Sequence, residues 1–404
     1  MKRFFALILC VALCLTTLCA PAMALDLKQS DDYYGRFKGK NISINVYNWG
    51  EYISDGSNDS LDVNAAFTEA TGITVNYSTF ATNEELYAKL KSGGADYDVI
   101  IPSDYMISRM IQENMLEPLD FDNIPNMSCM DPRYLKNHYD PEEKYSVPYT
   151  WGTVGIIYNT KMVDDPVDSW DILWNQKYKK NILMFGNPRD AFGIALEKLG
   201  YSLNTTDEKE LRQAADELKK QKDLVQAYVM DEIFDKMQGN EAALAPYYAG
   251  DALTMMAANP DLAFAVPKEG TNVFYDAMCI PKGSAQKEAA EMYINFMCEP
   301  QVAAANIEYI GYSTPNAEAY KLLSEDIRNN PISYPSQEVL DKSEEFIALP
   351  EQTNVLMDSL WTEILTNDNQ FLKWVMPVCL VAAIVVAFTI ITLRRKRKAR
   401  EQEY

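Results

Sequence analysis

The sequence is poor in histidine and in positive charge, and both shortages exclude functions. Its 404 residues include one histidine, His138, and 37 lysines and arginines stand against 58 aspartates and glutamates, for a formal net charge of −21. A single histidine argues against zinc sites and Ser-His-Asp triads, which need histidine in numbers or in a specific setting. The acidic balance argues against a nucleic-acid partner, because binding phosphates needs clustered lysine and arginine.

Cysteines and catalytic motifs are also scarce. Four of the seven cysteines lie in the apolar ends of the chain, and the other three are Cys129, Cys279 and Cys298. This odd number without metal-binding spacing indicates neither a disulfide framework nor a metal site. The sequence has no phosphate-binding glycine loop, no Gly-x-Ser-x-Gly elbow and no His-Glu-x-x-His pair. We therefore expect no cofactor. Carboxylates are plentiful, so a hydrolase that uses paired acids stays an alternative.

Two apolar stretches at the ends of the chain predict export and a membrane anchor. A basic start, an apolar run and a small-residue cleavage pattern predict that residues 1–24 are a signal peptide. Residues 374–393 carry no charge, and a helix of that length would cross about 30 Å of hydrocarbon. The basic tail, 394–404, stays cytoplasmic under the positive-inside rule. We therefore expect an exported protein, anchored at the outer face of the cytoplasmic membrane by a C-terminal transmembrane helix.

The region between the ends alternates strand and helix patterns. Residues 42–47 and 73–77 have strand composition, and residues 60–71 between them place apolar side chains on one helical face. A capping pattern of Thr82 and Glu85 opens the next helix, as Thr205 and Glu208 do further along the chain. This order predicts an α/β fold, in which ligands bind beyond the carboxyl ends of the strands.

Aromatic and acidic residues share the predicted loops. A buried ammonium loses hydration worth several kcal/mol and needs a carboxylate to offset that loss, whereas a ring face adds about 0.5 to 2 kcal/mol by cation–π attraction. Such a set suits an alkyl polyamine, although each residue alone is more often a core or solvated residue. The residues of this pattern are Trp49, Glu51, Tyr52, Asp104, Tyr105, Asp190, Tyr247, Tyr248, Asp251, Phe274, Tyr275 and Asp276.

An ordered series of motifs resembles the spermidine/putrescine-binding proteins of ABC importers, from about residue 41 to about residue 365. The motifs are Tyr47-Asn48-Trp49-Gly50-Glu51-Tyr52-Ile53, Ala95-Asp96-Tyr97-Asp98-Val99-Ile100-Ile101-Pro102-Ser103-Asp104-Tyr105, Val147-Pro148-Tyr149-Thr150-Trp151-Gly152, Ser169-Trp170-Asp171-Ile172-Leu173-Trp174, Lys198-Leu199-Gly200-Tyr201-Ser202-Leu203-Asn204-Thr205-Thr206 and Gly311-Tyr312-Ser313-Thr314-Pro315-Asn316.

The resemblance implies an α/β, two-lobe, periplasmic-binding-protein-like (type II) fold that closes by a hinge on a ligand in a cleft between its lobes. Lobe 1 would have residues 41–147 with 276–320, and lobe 2 would have residues 148–275 with 321–365. The implied function is to bind a polyamine and deliver it to an ABC permease, without enzymatic activity. A binding protein for another small cation or a sugar, or a membrane-tethered sensor domain, would also fit this sequence.

The resemblance also carries over site residues. Asp276 matches the family acid that pairs with an amine, and Phe274 matches an aromatic wall. Asn187 stands where spermidine binders often carry aspartate, and Tyr248 stands where tryptophan is usual. Asp251 matches an amine-binding aspartate of putrescine-type members, so the pattern does not separate the two ligands. The other residues implied to line the site are Trp49, Glu51, Tyr52, Ser103, Tyr105 and Asp190.

Overall fold

The computed structural model describes residues 25–93 and 96–366. They form two units, each assembled from separate pieces of the chain. The first unit has the residues up to Gly152 with Ala249–Thr254 and Phe274–Pro335, and the second has Thr153–Tyr248, Met255–Val273 and the residues from Ser336 onward. The lobe ranges expected from the sequence are not the same ranges, and they stay predictions.

Strands and helices alternate along most of the described chain. The strands are β1 (Ser43–Trp49), β2 (Thr74–Phe80), β3 (Val99–Ile100), β4 (Ser146–Asn159), β5 (Ile182–Phe185), β6 (Val225–Val229), β7 (Leu244–Tyr248), β8 (Leu262–Ala265), β9 (Asn272–Cys279) and β10 (Glu344–Glu345). The helices are α1 (Asp31–Gly35), α2 (Val63–Thr71), α3 (Asn83–Lys91), α4 (Asp104–Gln112), α5 (Pro188–Leu199), α6 (Glu208–Gln221), α7 (Ile233–Gln238), α8 (Ala249–Ala258), α9 (Lys287–Met297), α10 (Pro300–Ile310), α11 (Ala317–Leu322), α12 (Glu325–Arg328), α13 (Gln337–Leu340) and α14 (Glu351–Thr366).

A sheet with a parallel core organises the first unit. Strand β1 pairs in parallel with β2 on one side and β3 on the other, and Cys279 of β9 pairs antiparallel with Ile100 of β3. Ile44 and Val46 of β1 are fully buried. The predicted β-α-β unit is confirmed, because α2 joins β1 to β2 and ends at Gly72, whose φ of 75° suits a residue without a side chain.

The predicted start of α3 is confirmed at atomic detail. The Thr82 hydroxyl accepts a hydrogen bond from the backbone N–H of Glu85 at 3.1 Å, and the Glu85 carboxylate accepts one from the N–H of Ala81 at 3.0 Å. The first bond satisfies a helix N–H group that has no partner within the helix, and the second ties Glu85 to the residue before the cap. The chain after β2 is thereby turned toward β3.

The second unit has its own mixed sheet. Strand β5 pairs in parallel with β6 and β7, and β4 pairs antiparallel with β7 and β8. Helices α5 and α6 pack against each other, with Leu211 of α6 fully buried. The prediction that Thr205 caps α6 is wrong, because the Asp207 carboxylate lies nearer the helix and accepts from the N–H of Lys209 at 2.7 Å. The Thr205 hydroxyl instead accepts from the N–H of Asp207.

The predicted fold class needs one correction. Within residues 25–93 and 96–366, no helix is long and apolar enough to cross a membrane. Helix α14, with 16 residues, is the longest there, and at about 1.5 Å per residue it is shorter than about 30 Å of hydrocarbon. The α/β assignment is kept, and the C-terminal transmembrane helix is removed from the fold class. Residues 1–24, 374–393 and 394–404, the expected signal peptide, span and tail, lie outside the described residues.

Candidate functional site

An acid–tyrosine pair lies in the first unit, on β9 beside the carboxyl end of β3. Asp276 is a residue of β9 with only 4% of its surface exposed, and its Oδ2 accepts a hydrogen bond of 2.5 Å from the Tyr52 hydroxyl. The Tyr52 hydroxyl also hydrogen-bonds the Thr150 hydroxyl. Burial, and next the nearby Asp276 carboxylate, raises the pKa of Tyr52, so the phenol keeps its proton and acts as a donor. The carboxylate is therefore hydrogen-bonded by a neutral group, which does not cancel a negative charge on it.

Aromatic rings enclose this pair within the first unit. The Tyr312 ring meets the Tyr52 ring edge to face at 4.6 Å between centroids, and it lies 6.2 Å from the ring of Phe274. Phe274 packs so close to Gly152 that a Cβ there would lie 2.9 Å from the ring. A glycine is thus needed at this position for the ring to occupy its place.

The turn after β3 is joined to the strand that carries Asp276. Ser103 and Asp276 form an isolated antiparallel bridge, and Ser103 is also fixed by Asn83, whose side chain accepts from its N–H and donates to its hydroxyl, both at 3.1 Å. The Tyr105 hydroxyl donates to the Glu84 carboxylate at 2.9 Å. Side chains of α3 therefore position both candidate residues, Ser103 in the turn and Tyr105 at the start of α4.

The end of β1 and the segment after it contribute residues of different character. The half-buried Trp49 donates its indole N–H to the carbonyl of Ile101 at 2.8 Å and packs against Phe80 at 4.5 Å between ring centroids. Glu51 is exposed and has a positive φ of 48°. Trp49 therefore has a structural role of its own in the first unit, beside the predicted contact with ligand.

A second acid lies in the second unit, where α5 begins after β5. Asn187 caps α5, accepting from the N–H of Asp190 at 2.9 Å, and its side-chain amide donates to the Asp190 carboxylate at 2.6 Å. The Tyr248 hydroxyl, at the end of β7, donates to the same carboxylate oxygen at 2.7 Å. Burial raises the pKa of Asp190, while the bonds from Tyr248 and Asn187 and the charge of Arg189 oppose that rise.

Both groups lie where open α/β sheets place ligands. In the first unit the candidates follow the carboxyl ends of β1 and β3, and in the second unit they follow those of β5 and β7. Asp251 belongs to the first unit, in the first turn of α8, with 8% of its surface exposed. Nothing in residues 25–93 and 96–366 gathers three or more His, Cys, Asp or Glu side chains in a way that could hold a metal ion.

Comparison with known proteins finds similar sequences. The model of the family described as bacterial extracellular solute-binding protein matches residues 63–335. The chain is 39% identical over 307 residues to the spermidine/putrescine-binding periplasmic protein of Salmonella typhimurium, covering 75% of this chain and 86% of that protein. It is 38% identical over 328 residues to the protein of the same name from Escherichia coli, covering 80% and 90%.

The chain belongs to the family of bacterial extracellular solute-binding proteins. A solved structure supports the assignment: a putative spermidine/putrescine ABC transporter protein from Listeria monocytogenes, 39% identical, superposes with a TM-score of 0.77 over 80% of this chain and 99% of that one. The resemblance stated from the motifs is thereby confirmed, and so is the two-lobe type II fold. Membership of this family also supports an extracytoplasmic location for the solute-binding protein, whereas anchoring by residues 374–393 has no support.

Sequence reasoning missed three residues beside the acid of the first unit. Thr150 and Tyr312 contact Tyr52, and Gly152 makes room for Phe274. All three lie inside motifs that carry the family resemblance, so the motifs themselves were the available signal. In the second unit, Phe346 also escaped assignment; its ring lies 4.3 Å from the guanidinium carbon of Arg189 and contacts Gly193.

Proposed function

We propose that this solute-binding protein binds a polyamine outside the cytoplasm and delivers it to an ABC permease. Its relatives from Salmonella typhimurium and Escherichia coli are named spermidine/putrescine-binding proteins, and another, 32% identical, is named a putrescine-binding protein of Pseudomonas aeruginosa. No bond is made or broken in this function, and the family is one of binding proteins. We therefore retain the assignment as a non-enzyme.

The acid Asp276 carries the proposal. It is buried, its carboxylate is held by the neutral Tyr52 hydroxyl, and aromatic rings lie beside it. Neutral donors satisfy carboxylate lone pairs without cancelling the charge, so the site retains its attraction for a cation. An ammonium group supplies that charge, and the methylene chain attached to it packs on ring faces. We propose that this part of the site is lined by Trp49, Glu51, Tyr52, Ser103, Tyr105, Phe274 and Asp251.

Asp190 offers a second anionic group with the same kind of support. Its carboxylate accepts from Asn187 and Tyr248, both neutral. It lies in the first turn of α5, where the helix dipole favours a negative charge. We propose that Asn187, Asp190 and Tyr248 receive another polar group of the ligand. That one polyamine contacts both groups of residues stays a prediction.

Isothermal titration calorimetry of the protein, stripped of any ligand carried through purification, tests the proposal. Putrescine, spermidine and spermine are titrated separately, and the recovered ligand is analysed for chemical change. We expect saturable binding of at least one polyamine, with the ligand unchanged. Binding of a neutral sugar that polyamines do not displace would contradict the ligand class, and turnover of the ligand would favour the paired-acid hydrolase.

A further inference from the structure

Another buried acid of the first unit, Asp104, belongs to the acidic and aromatic sequence pattern but has no place in the proposed ligand site. Its side chain belongs to the first turn of α4 and is fully buried. One carboxylate oxygen accepts from the N–H of Tyr105 at 2.6 Å, and the other accepts from the N–H of Tyr275 at 3.1 Å. Asp104 thus links the turn after β3 to the residue that directly precedes Asp276.

The bond to Tyr275 is part of a larger set of contacts that fixes this section of β9. The N–H of Ala277 donates to the carbonyl of Pro102 at 3.2 Å, and Ser103 and Asp276 form a bridge between the same two segments. The residues on both sides of Asp276 are therefore tied to the turn that contains Asp104. These contacts give the charge of Asp104 a direct route to the strand that carries Asp276.

The groups that face Asp104 come from three segments of the first unit. They are the N–H groups of Tyr105 and Tyr275, the side chain of Asp276 on β9, and His138 and Tyr139 on the loop before β4. Burial raises the pKa of Asp104 to about 8; the two N–H groups and His138 oppose this, and Asp276 adds to it. Asp104 is thus poised to change charge near neutral pH.

We propose that Asp104 is a positioning residue that releases a proton when an ammonium group binds at Asp276. A cation at Asp276 cancels the negative charge that opposes ionisation of Asp104. Ionised Asp104 in turn makes a stronger, charge-assisted bond to the N–H of Tyr275 and so holds Asp276 in its binding orientation. This inference rests on the proposed function, because it takes the bound cation to be a polyamine.

The sign of the coupling follows from linkage. If the cation lowers the pKa of Asp104, the bound protein carries fewer protons than the free protein. The affinity therefore rises with pH up to and through the pKa that Asp104 has in the free protein. If the bound cation lowers the pKa of Asp104 by about one, from about 8, binding releases roughly 0.4 of a proton at about pH 8. The affinity then rises roughly sevenfold between about pH 6 and about pH 8.5. Putrescine is the probe, because its amines, like that of lysine, titrate near 10.

The test is calorimetry of putrescine binding to the full chain in two buffers with different enthalpies of ionisation, at several pH values. We expect a buffer-dependent enthalpy that reports proton release, largest near about pH 7.5, midway between the pKa of Asp104 in the free and in the bound protein. This measurement needs no mutation, so it decides the matter even where a variant does not fold. Putrescine binding without any proton exchange would overturn the coupling and leave the proposed function intact. Absence of putrescine binding at every pH would overturn the coupling, and it would overturn the proposed function as well only if spermidine and spermine also failed to bind.

Two variants separate Asp104 from the neighbouring titratable group. Asp104→Asn should abolish both the proton release and the rise of affinity with pH, while still binding putrescine. His138→Gln is the matched control, because a histidine also loses charge as the pH rises past about 6.5. We expect it to leave the proton release near pH 8 in place. If His138→Gln removes the release and Asp104→Asn keeps it, the histidine is the coupled group and the proposal is wrong.

Discussion

The acids of the two units are held in different ways. Asp276 is a strand residue, 4% exposed, whose carboxylate is bonded by a tyrosine 224 residues away in the chain. Asp190 is a helix residue in a partly exposed position, whose carboxylate is bonded by the helix-capping residue three positions earlier and by Tyr248. The first acid depends on long-range packing, whereas the second depends largely on a local cap.

This difference predicts unequal contributions to binding. A carboxylate with little solvent contact interacts strongly with a cation, because water does not screen the charge. Asp190 is desolvated enough for burial to raise its pKa, but the residue is less buried than Asp276 and also feels the positive charge of Arg189. We therefore expect the acid of the first unit to supply most of the electrostatic binding energy, and the acid of the second unit to supply less.

The largest effect is expected for Asp276→Asn. Removing one partner of a buried charge pair costs about 3 to 5 kcal/mol, which raises the polyamine dissociation constant by more than about 100-fold. Calorimetry at neutral pH measures this change in the dissociation constant. Asp59→Asn is the control, because it removes one negative charge from an exposed position of the same unit. An equal loss in the control would mean that net charge, rather than Asp276, determines affinity.

A smaller loss is expected for Asp190→Asn, about 1.5 to 3 kcal/mol, as for a hydrogen bond to a charged group. The same titration measures this loss of affinity. Circular dichroism checks that α5 remains folded, which we expect because Asn187 also accepts a hydrogen bond from the backbone N–H at position 190. A loss greater than that of Asp276→Asn would reverse the order of the two acids.

The pH dependence of this second acid has a definite sign. Because burial raises the pKa of Asp190, its negative charge is lost earlier on acidification than that of an ordinary aspartate. The wild type should therefore lose part of its advantage over Asp190→Asn as the pH falls from neutral to mildly acidic values, and this loss should begin at a higher pH than it would for an ordinary aspartate. A constant difference over that range would show that the charge of Asp190 does not contribute.

The smallest effect is expected for Tyr248→Phe, which deletes one neutral donor to Asp190. Asn187 remains as a donor to the same oxygen, so the cost should be about 0.5 to 1.5 kcal/mol in polyamine binding. Carboxyl NMR should show a higher pKa for Asp190 in this variant, because the lost bond favours the charged form. Tyr158→Phe, in β4 of the same unit, is the control and should change neither quantity.

Local features of the fold were predictable from the sequence, and contacts between distant segments were not. The cap at Thr82 was predicted because its partner is three residues away, but the cap of α6 was misplaced because Thr205 and Asp207 both offer oxygen atoms near the helix start. The expected transmembrane helix came from composition alone, and no helix in the described part of the chain has that character.

The candidate site was predicted from motif resemblance and not from periodicity. No local pattern indicates that Tyr52 donates to Asp276, or that Gly152 is needed for the ring of Phe274, because packing brings these residues together. Thr150 and Tyr312 were missed for the same reason. Asp104 could be recognised as unusual only once its burial and its bond to Tyr275 were known.

The most direct test compares putrescine with 1,4-butanediol, which has the same four-carbon chain and two neutral hydroxyl groups in place of the ammonium groups. Both are titrated into ligand-free protein under identical conditions by calorimetry. If buried carboxylates held by neutral donors select a cation, putrescine binds saturably and the diol gives no measurable heat. Comparable binding of both compounds would contradict the account. So would a properly folded protein that binds neither compound and also fails to bind spermidine and spermine.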